Sequence, residues 1–137
     1  LGVRMKILGI ETSCDDTAIA VIEVNNVKVK VLSNIISSQV KLHAKFGGIV
    51  PHLAAREHEK NLPHVFKLSL KKAKINMDKI DLIAVTIGPG LSPSLWRGFN
   101  FAKELAEKYK KSLVGINHLE GHIFSPFLKF SIFYILT

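Results

Sequence analysis

The run Asp81 to Gly88, DLIAVTIG, constrains the fold more than any other stretch of the sequence. It is apolar almost without interruption, the pattern of a strand covered on both faces, and such strands sit inside parallel sheets. Parallel neighbours need a crossover of a dozen or more residues, usually a helix. The flanking segments supply two. Upstream, Pro51 stands where a helix can begin, because an N–H missing from the first helical position leaves no bond unmade. From about His52 to Lys74 the segment sets Phe66, Leu70 and Ala73 on one face. Pro63 lies within it, which predicts a kink or a second helix start capped by Asn61. Downstream, Gly88-Pro89-Gly90 breaks the chain. Ser92-Pro93 then opens a helix on which Leu95, Phe99, Ala102, Leu105 and Tyr109 share a face. SLVGIN, residues 112 to 117, returns as a further strand.

Ahead of these units the pattern is antiparallel. Lys6 to Ile10 is a short apolar strand that ends in the polar cluster Glu11, Thr12, Ser13, Cys14, Asp15, Asp16. Thr17 to Val24 reads as a second strand, and Asn25-Asn26 as a tight turn into the alternating VKVKVLSN of a third. The predicted order is β-β-β-α-β-α-β-α, with the apolar run FSIFYIL, residues 130 to 136, beginning another strand. Each β-α-β crossover is expected to be right-handed. Three antiparallel strands, then parallel ones, in a mixed sheet covered by helices make an α/β fold. That is the layout of the ribonuclease-H-like half domain of the actin, Hsp70 and sugar-kinase superfamily. Such a layout hosts many chemistries, so function has to come from particular residues.

The 137 residues are enough for one domain with one core, and 47% hydrophobic against 22% charged residues is a globular balance. Cys14 is the only cysteine, which excludes an intrachain disulfide and fits a reducing, cytoplasmic setting. The opening LGVRMKILGIETSC is too short an apolar stretch for an export signal. The closing run Phe124 to Leu136 contains Lys129 and falls short of the roughly 20 residues of a membrane span, so core is expected there. The net charge of +8 is carried largely by Lys67, Lys71, Lys72, Lys74, Lys103, Lys108, Lys110 and Lys111. A surface of that kind attracts phosphates, and equally it is the solvated face of ordinary helices.

Three constellations can carry chemistry. In NHLEGH, residues 117 to 122, His118 and His122 are four apart where a strand gives way to a helix. Helical spacing of four puts both imidazoles on one face, within reach of one metal ion, and a pair of structural histidines has the same spacing. Leu119 stands where zinc peptidases carry their glutamate, which disfavours that hydrolysis. Glu120 lies about 200° around the helix from His118, away from the same ion. Catalytic centres generally have three protein ligands, so at least one more must come from elsewhere. The second constellation is the acidic turn, Glu11 to Asp16, whose carboxylates at a strand end could orient a water, a metal or an attacking amine. An Asx-type turn accounts for the same residues. The third, GPGL at residues 88 to 91, allows close approach of a ligand and equally makes a tight strand-to-helix turn. His43, His52, His58 and His64 share no helical spacing and read as structural or surface groups. Trp96 is expected to bury in the core.

Four ordered segments, MKILGIETSCDDTAIAV, SSQVKLHAKFGGIVPHLAAREH, the GPGL turn with the following helix through AKELA, and NHLEGHIFSPFL, together resemble one family. It is that of the tRNA N6-adenosine threonylcarbamoyltransferases of the bacterial TsaD type, formerly called glycoproteases. The resemblance runs from Met5 to about Leu136. It implies that His118 and His122 bind an Fe(2+) or Zn2+ ion, one per full-length subunit, and that Asp15 and Asp16 form the catalytically sensitive acidic turn. It implies transfer of a threonylcarbamoyl group from threonylcarbamoyl-adenylate to N6 of the adenosine beside the anticodon of tRNA. TsaB-like and TsaE-like partners are also implied, and a TsaC-like enzyme that makes the adenylate.

The family's Ser-Gly-Gly-His loop and the second-lobe carboxylate that completes the metal site do not occur in this sequence. The expectation is therefore an amino-terminal lobe, residues 5 to 137, preceded by four residues outside the family pattern, and inactive by itself. A noncatalytic TsaB-like module of the same fold is the alternative, which the histidine pair argues against. A hydrogenase-maturation type of carbamoyl transferase is a third reading.

Overall fold

The computed structural model describes residues 2–26 and 28–126. Five strands form one sheet in the order β3-β2-β1-β4-β5, with β1 Arg4–Glu11, β2 Asp16–Asn25, β3 Lys28–Ser38, β4 Leu82–Gly88 and β5 Ser112–Asn117. The first three are an antiparallel meander, and β4 runs parallel to both β1 and β5. The long helices are α2 Pro51–Ala73 and α3 Ser92–Tyr109, flanked by the short α1 Val40–Ala44 and α4 His118–Phe124. The final strand expected at residues 130 to 136 lies outside the described residues. Arg4, placed by the sequence outside the family pattern, is the first residue of β1 and pairs with Asn25. No helix among the described residues is long and apolar enough to cross a membrane.

Register explains the core. Leu8 lies opposite Val21 on one side and Ile83 on the other, and Ile10 lies between Ile19 and Val85. These side chains share a face and join Leu62 and Val65 of α2 with Ala102 and Leu105 of α3 in a single cluster. Leu8, Ile19, Ile80 and Ile83 are fully buried, and burying each such side chain is worth about 1.5–3 kcal/mol.

The opposite face of the sheet departs from the sequence expectation. Both long helices pack on the Leu8–Ile83 face. On the other face Gly9, Ala18, Ala20, Ala84 and Ile116 line an open concavity of about 340 Å³. Among the described residues, β4 is therefore covered on one face.

Pro63 is also accommodated differently. One continuous α2 runs through it, with no second start at Asn61. Pro63 and Glu59 are both exposed, so the Glu59 carbonyl that loses its N–H partner one turn earlier faces solvent. Meanwhile the buried Leu62 and Val65 hold both halves of the helix on the sheet. The connection after β3 contains α1, too short for periodicity to reveal, and β3 itself continues to Ser38.

Candidate metal centre

The carboxyl ends of the parallel strands β1, β4 and β5 meet at one edge of the sheet and deliver Glu11, Thr86 and the start of α4 to one place. Asn117 ends β5 and caps α4: its side chain accepts from the backbone N–H of Leu119 at 2.9 Å and of Glu120 at 3.3 Å. The cap sets His118 on the first turn. There its Nδ1 lies 3.2 Å from Glu11 Oε2 and 3.1 Å from Ser13 Oγ. His122 follows one turn on, and its Nε2 approaches Nε2 of His118 to 2.9 Å, the rings nearly perpendicular at 87°.

Glu11 is fixed by more than His118. The Ser13 backbone N–H donates to Oε1 and the Thr86 hydroxyl donates to Oε2. Burial, the largest single influence, pushes the pKa of this carboxyl up. The hydrogen bonds from Ser13, Thr86 and His118 together outweigh it and hold Glu11 below the ordinary glutamate value. A carboxylate thus stands behind the first histidine.

The donor set suits a divalent ion. The two imidazoles bring their Nε2 atoms within 2.9 Å of each other, and imidazole is a good ligand for zinc and iron. Bonds of about 2.0–2.1 Å in tetrahedral geometry set two nitrogens about 3.3 Å apart, a few tenths of an ångström beyond the 2.9 Å found. A carboxylate on the remaining nitrogen of a ligating histidine is the usual supporting arrangement. Among the described residues no third histidine, cysteine, aspartate or glutamate completes a cluster. Glu120 is exposed and takes no part.

The acidic turn is beside this pair through Ser13. Asp15 is half-buried and its carbonyl accepts the Gln39 N–H at 3.1 Å; Asp16 is exposed and opens β2 opposite Ser38. The turn is anchored from below by a residue that sequence reading left among the structural or surface histidines. His58 is fully buried on α2, with Nε2 2.8 Å from the Cys14 carbonyl and Nδ1 2.8 Å from Thr17 Oγ1. Its burial pushes the imidazole pKa below the ordinary 6.5, against the Cys14 carbonyl and the acids Glu11, Asp15 and Asp16, which act the other way. His43 is likewise buried, accepting the Val50 N–H at Nδ1 and reaching Gln39 Oε1 from Nε2 at 2.8 Å.

The two glycines of the GPGL turn have different reasons: Gly88 has open space around it and a φ of +150°, and Gly90 is fixed by packing. A Cβ on Gly90 would stand 2.6 Å from the Ser13 carbonyl oxygen, and Leu91 N–H donates to that oxygen at 2.8 Å. The turn therefore buttresses the acidic turn. Trp96 corrects an expectation: it is 60% exposed, edge-on to Phe99 at 5.7 Å. On the apolar rim of α3 it has no second layer to bury against among the described residues. The lysines Lys71, Lys72, Lys74, Lys108, Lys110 and Lys111 fall at the ends of α2 and α3 that lead back to the starts of β4 and β5. They occupy the opposite end of the sheet from His118.

A sequence profile of the family described as tRNA N6-adenosine threonylcarbamoyltransferase, TsaD, matches residues 30–133. A protein of that name from Thermosipho melanesiensis is 53% identical over 92% of this chain, which spans 38% of that relative's length. Among solved structures, YeaZ from Pseudomonas aeruginosa superposes with a TM-score of 0.60 at 16% identity, over 82% of this chain and 44% of that one. T. thermophilus RuvC in complex with Holliday junction substrate gives 0.55 at 12% identity, over 88% and 70%. At such identities the likeness concerns the fold, and it is the ribonuclease-H-like fold expected from the order of strands.

Proposed function

The chain belongs to the tRNA N6-adenosine threonylcarbamoyltransferase family, and from that premise we propose that it forms the amino-terminal lobe of a tRNA-modifying acyltransferase. The reaction would join the N6 amine of the adenosine beside the anticodon to the carbamoyl carbon of threonylcarbamoyl-adenylate. The new N–C bond forms as the C–O bond to the adenylate phosphate breaks, AMP leaves, and the amine gives up one proton. The observation that carries the proposal is the convergence of His118 and His122 at 2.9 Å with Glu11 behind them, at the end of a parallel strand, in a chain of this family.

In this reading His118 and His122 hold an Fe(2+) or Zn2+ ion. Such an ion, when bound, supplies Lewis-acid polarisation of an acyl oxygen. Asp15 and Asp16 belong to the adjoining turn, and in this reading one of their carboxylates takes the proton that the amine releases. His58 and the GPGL turn keep that turn in one conformation, so its carboxylates need not be ordered when substrate arrives. The remaining ligand would come from the polypeptide that makes up the rest of the relatives' length. tRNA, the adenylate, and TsaB-like and TsaE-like proteins are the proposed partners, in the cytoplasm.

Nucleoside analysis of bulk tRNA tests this. Disruption of the gene in its host should remove threonylcarbamoyladenosine. The wild-type gene should restore it and a His118→Ala gene should not. An unchanged content of the modified nucleoside after disruption would reject the proposal.

A further inference from the structure

Glu11 is shaped to do more than close a turn. Its Oε2 accepts the Thr86 hydroxyl and faces His118 Nδ1 at 3.2 Å, while its Oε1 is tied to the Ser13 backbone. An ionised carboxylate only accepts hydrogen bonds, so the imidazole nitrogen facing it has to carry a hydrogen. The other tautomer would set a nitrogen lone pair against a carboxylate oxygen. Ser13 Oγ, 3.1 Å from the same nitrogen, can serve as a second acceptor because its hydroxyl hydrogen turns away freely. With the hydrogen on Nδ1, Nε2 of His118 presents its lone pair. That lone pair meets Nε2 of His122 at 2.9 Å, a hydrogen bond only when His122 carries its own hydrogen on Nε2. Among the described residues no hydrogen bond engages His122 Nδ1, so the second ring has no comparable anchor. The two histidines, four residues apart on one helix, are therefore chemically unequal.

We infer that Glu11 is a positioning residue that holds His118 in the Nδ1–H tautomer with its Nε2 lone pair directed at the ion position. It follows that only His122 has to move its hydrogen, from Nε2 to Nδ1, when an ion enters. That shift releases one proton to water and takes one up, leaving the charge unchanged. Thr86 and Ser13 act through Glu11 by fixing its carboxylate. The inference rests on the reading of the two histidines as metal ligands, and it makes a statement about the metal-free protein that can be tested separately.

Long-range proton–nitrogen correlation of the histidine rings in the 15N-labelled chain, with chelator present and in mildly alkaline buffer, reads the tautomers. His118 is expected as Nδ1–H and His122 as Nε2–H, and both as Nδ1–H once diamagnetic Zn2+ is added. In Glu11→Ala the Ser13 hydroxyl is free to donate to Nδ1, so His118 should move toward Nε2–H. Co2+ affinity, followed by visible absorption, should fall about 10- to 100-fold. Thr86→Val, which touches Glu11 and not His118, should shift both readouts in the same direction by less, and it decides the matter if Glu11→Ala does not fold. A wild-type His118 found as Nε2–H, or tautomers and affinity unmoved in both variants, would overturn the inference. Equal Co2+ binding by a His118→Ala/His122→Ala variant would instead remove the metal reading, and the tautomer comparison would still decide the role of Glu11.

Discussion

Replacing His58 by leucine tests the physical account of the acidic turn. The side chain is fully buried, and leucine fills a similar volume, so the cavity contribution is small. What is lost is a partner for the Cys14 carbonyl and one for the Thr17 hydroxyl, both engaged at 2.8 Å. A buried polar group left without its hydrogen bond costs about 1–3 kcal/mol, and two of them put the expected loss at about 2–6 kcal/mol. For a domain of this size each kcal/mol moves Tm by about 3–4 °C, so thermal unfolding at pH 7.5 should fall by roughly 6–24 °C. The pH dependence sharpens the test. Burial depresses the His58 pKa below 6.5, so between the depressed value and 6.5 the unfolded chain binds the extra proton. Stability from this group is therefore fully present above 6.5 and is lost as the pH falls toward the folded value. The gap between wild type and His58→Leu should narrow from pH 7.5 to pH 5. Calorimetry across that range reads both effects. Equal Tm values at pH 7.5, or a gap that widens in acid, would refute the reasoning.

Two further outcomes follow from local geometry. Pro63→Ala should raise Tm, because it returns an N–H to the Glu59 carbonyl inside a continuous helix on its exposed side; the gain is on the order of 1 kcal/mol or more. Gly90→Ala should destabilise, since its Cβ would meet the Ser13 carbonyl at 2.6 Å, with urea unfolding midpoints reading a loss of about 1–3 kcal/mol.

Much of the fold could be read in advance because it depends on short-range periodicity. The alternation in the meander, the apolar run at β4 and the Pro-initiated helices all announce themselves within a dozen residues. Pro63 and Trp96 did not, because whether a helix bends, or an aromatic is covered, is decided by what packs across it. The histidine pair was visible as spacing. Its supporting carboxylate was visible only as part of a turn, since Glu11 and His118 are 107 positions apart and meet through the register of β1, β4 and β5. His58 was hidden for the same reason: its partners Cys14 and Thr17 lie on another element, and a buried histidine leaves no pattern on its own helix. The GPGL turn remained open between ligand approach and packing until the distance from Gly90 to Ser13 was known.

The most direct test of the central claim is the stoichiometry of Zn2+ bound by the 137-residue chain, by calorimetric titration against the double variant His118→Ala/His122→Ala. One ion per chain, held weakly because two ligands do not saturate it and lost in the variant, is the predicted result. Undiminished binding by the variant, or a wild-type chain that takes up no ion, would contradict the claim.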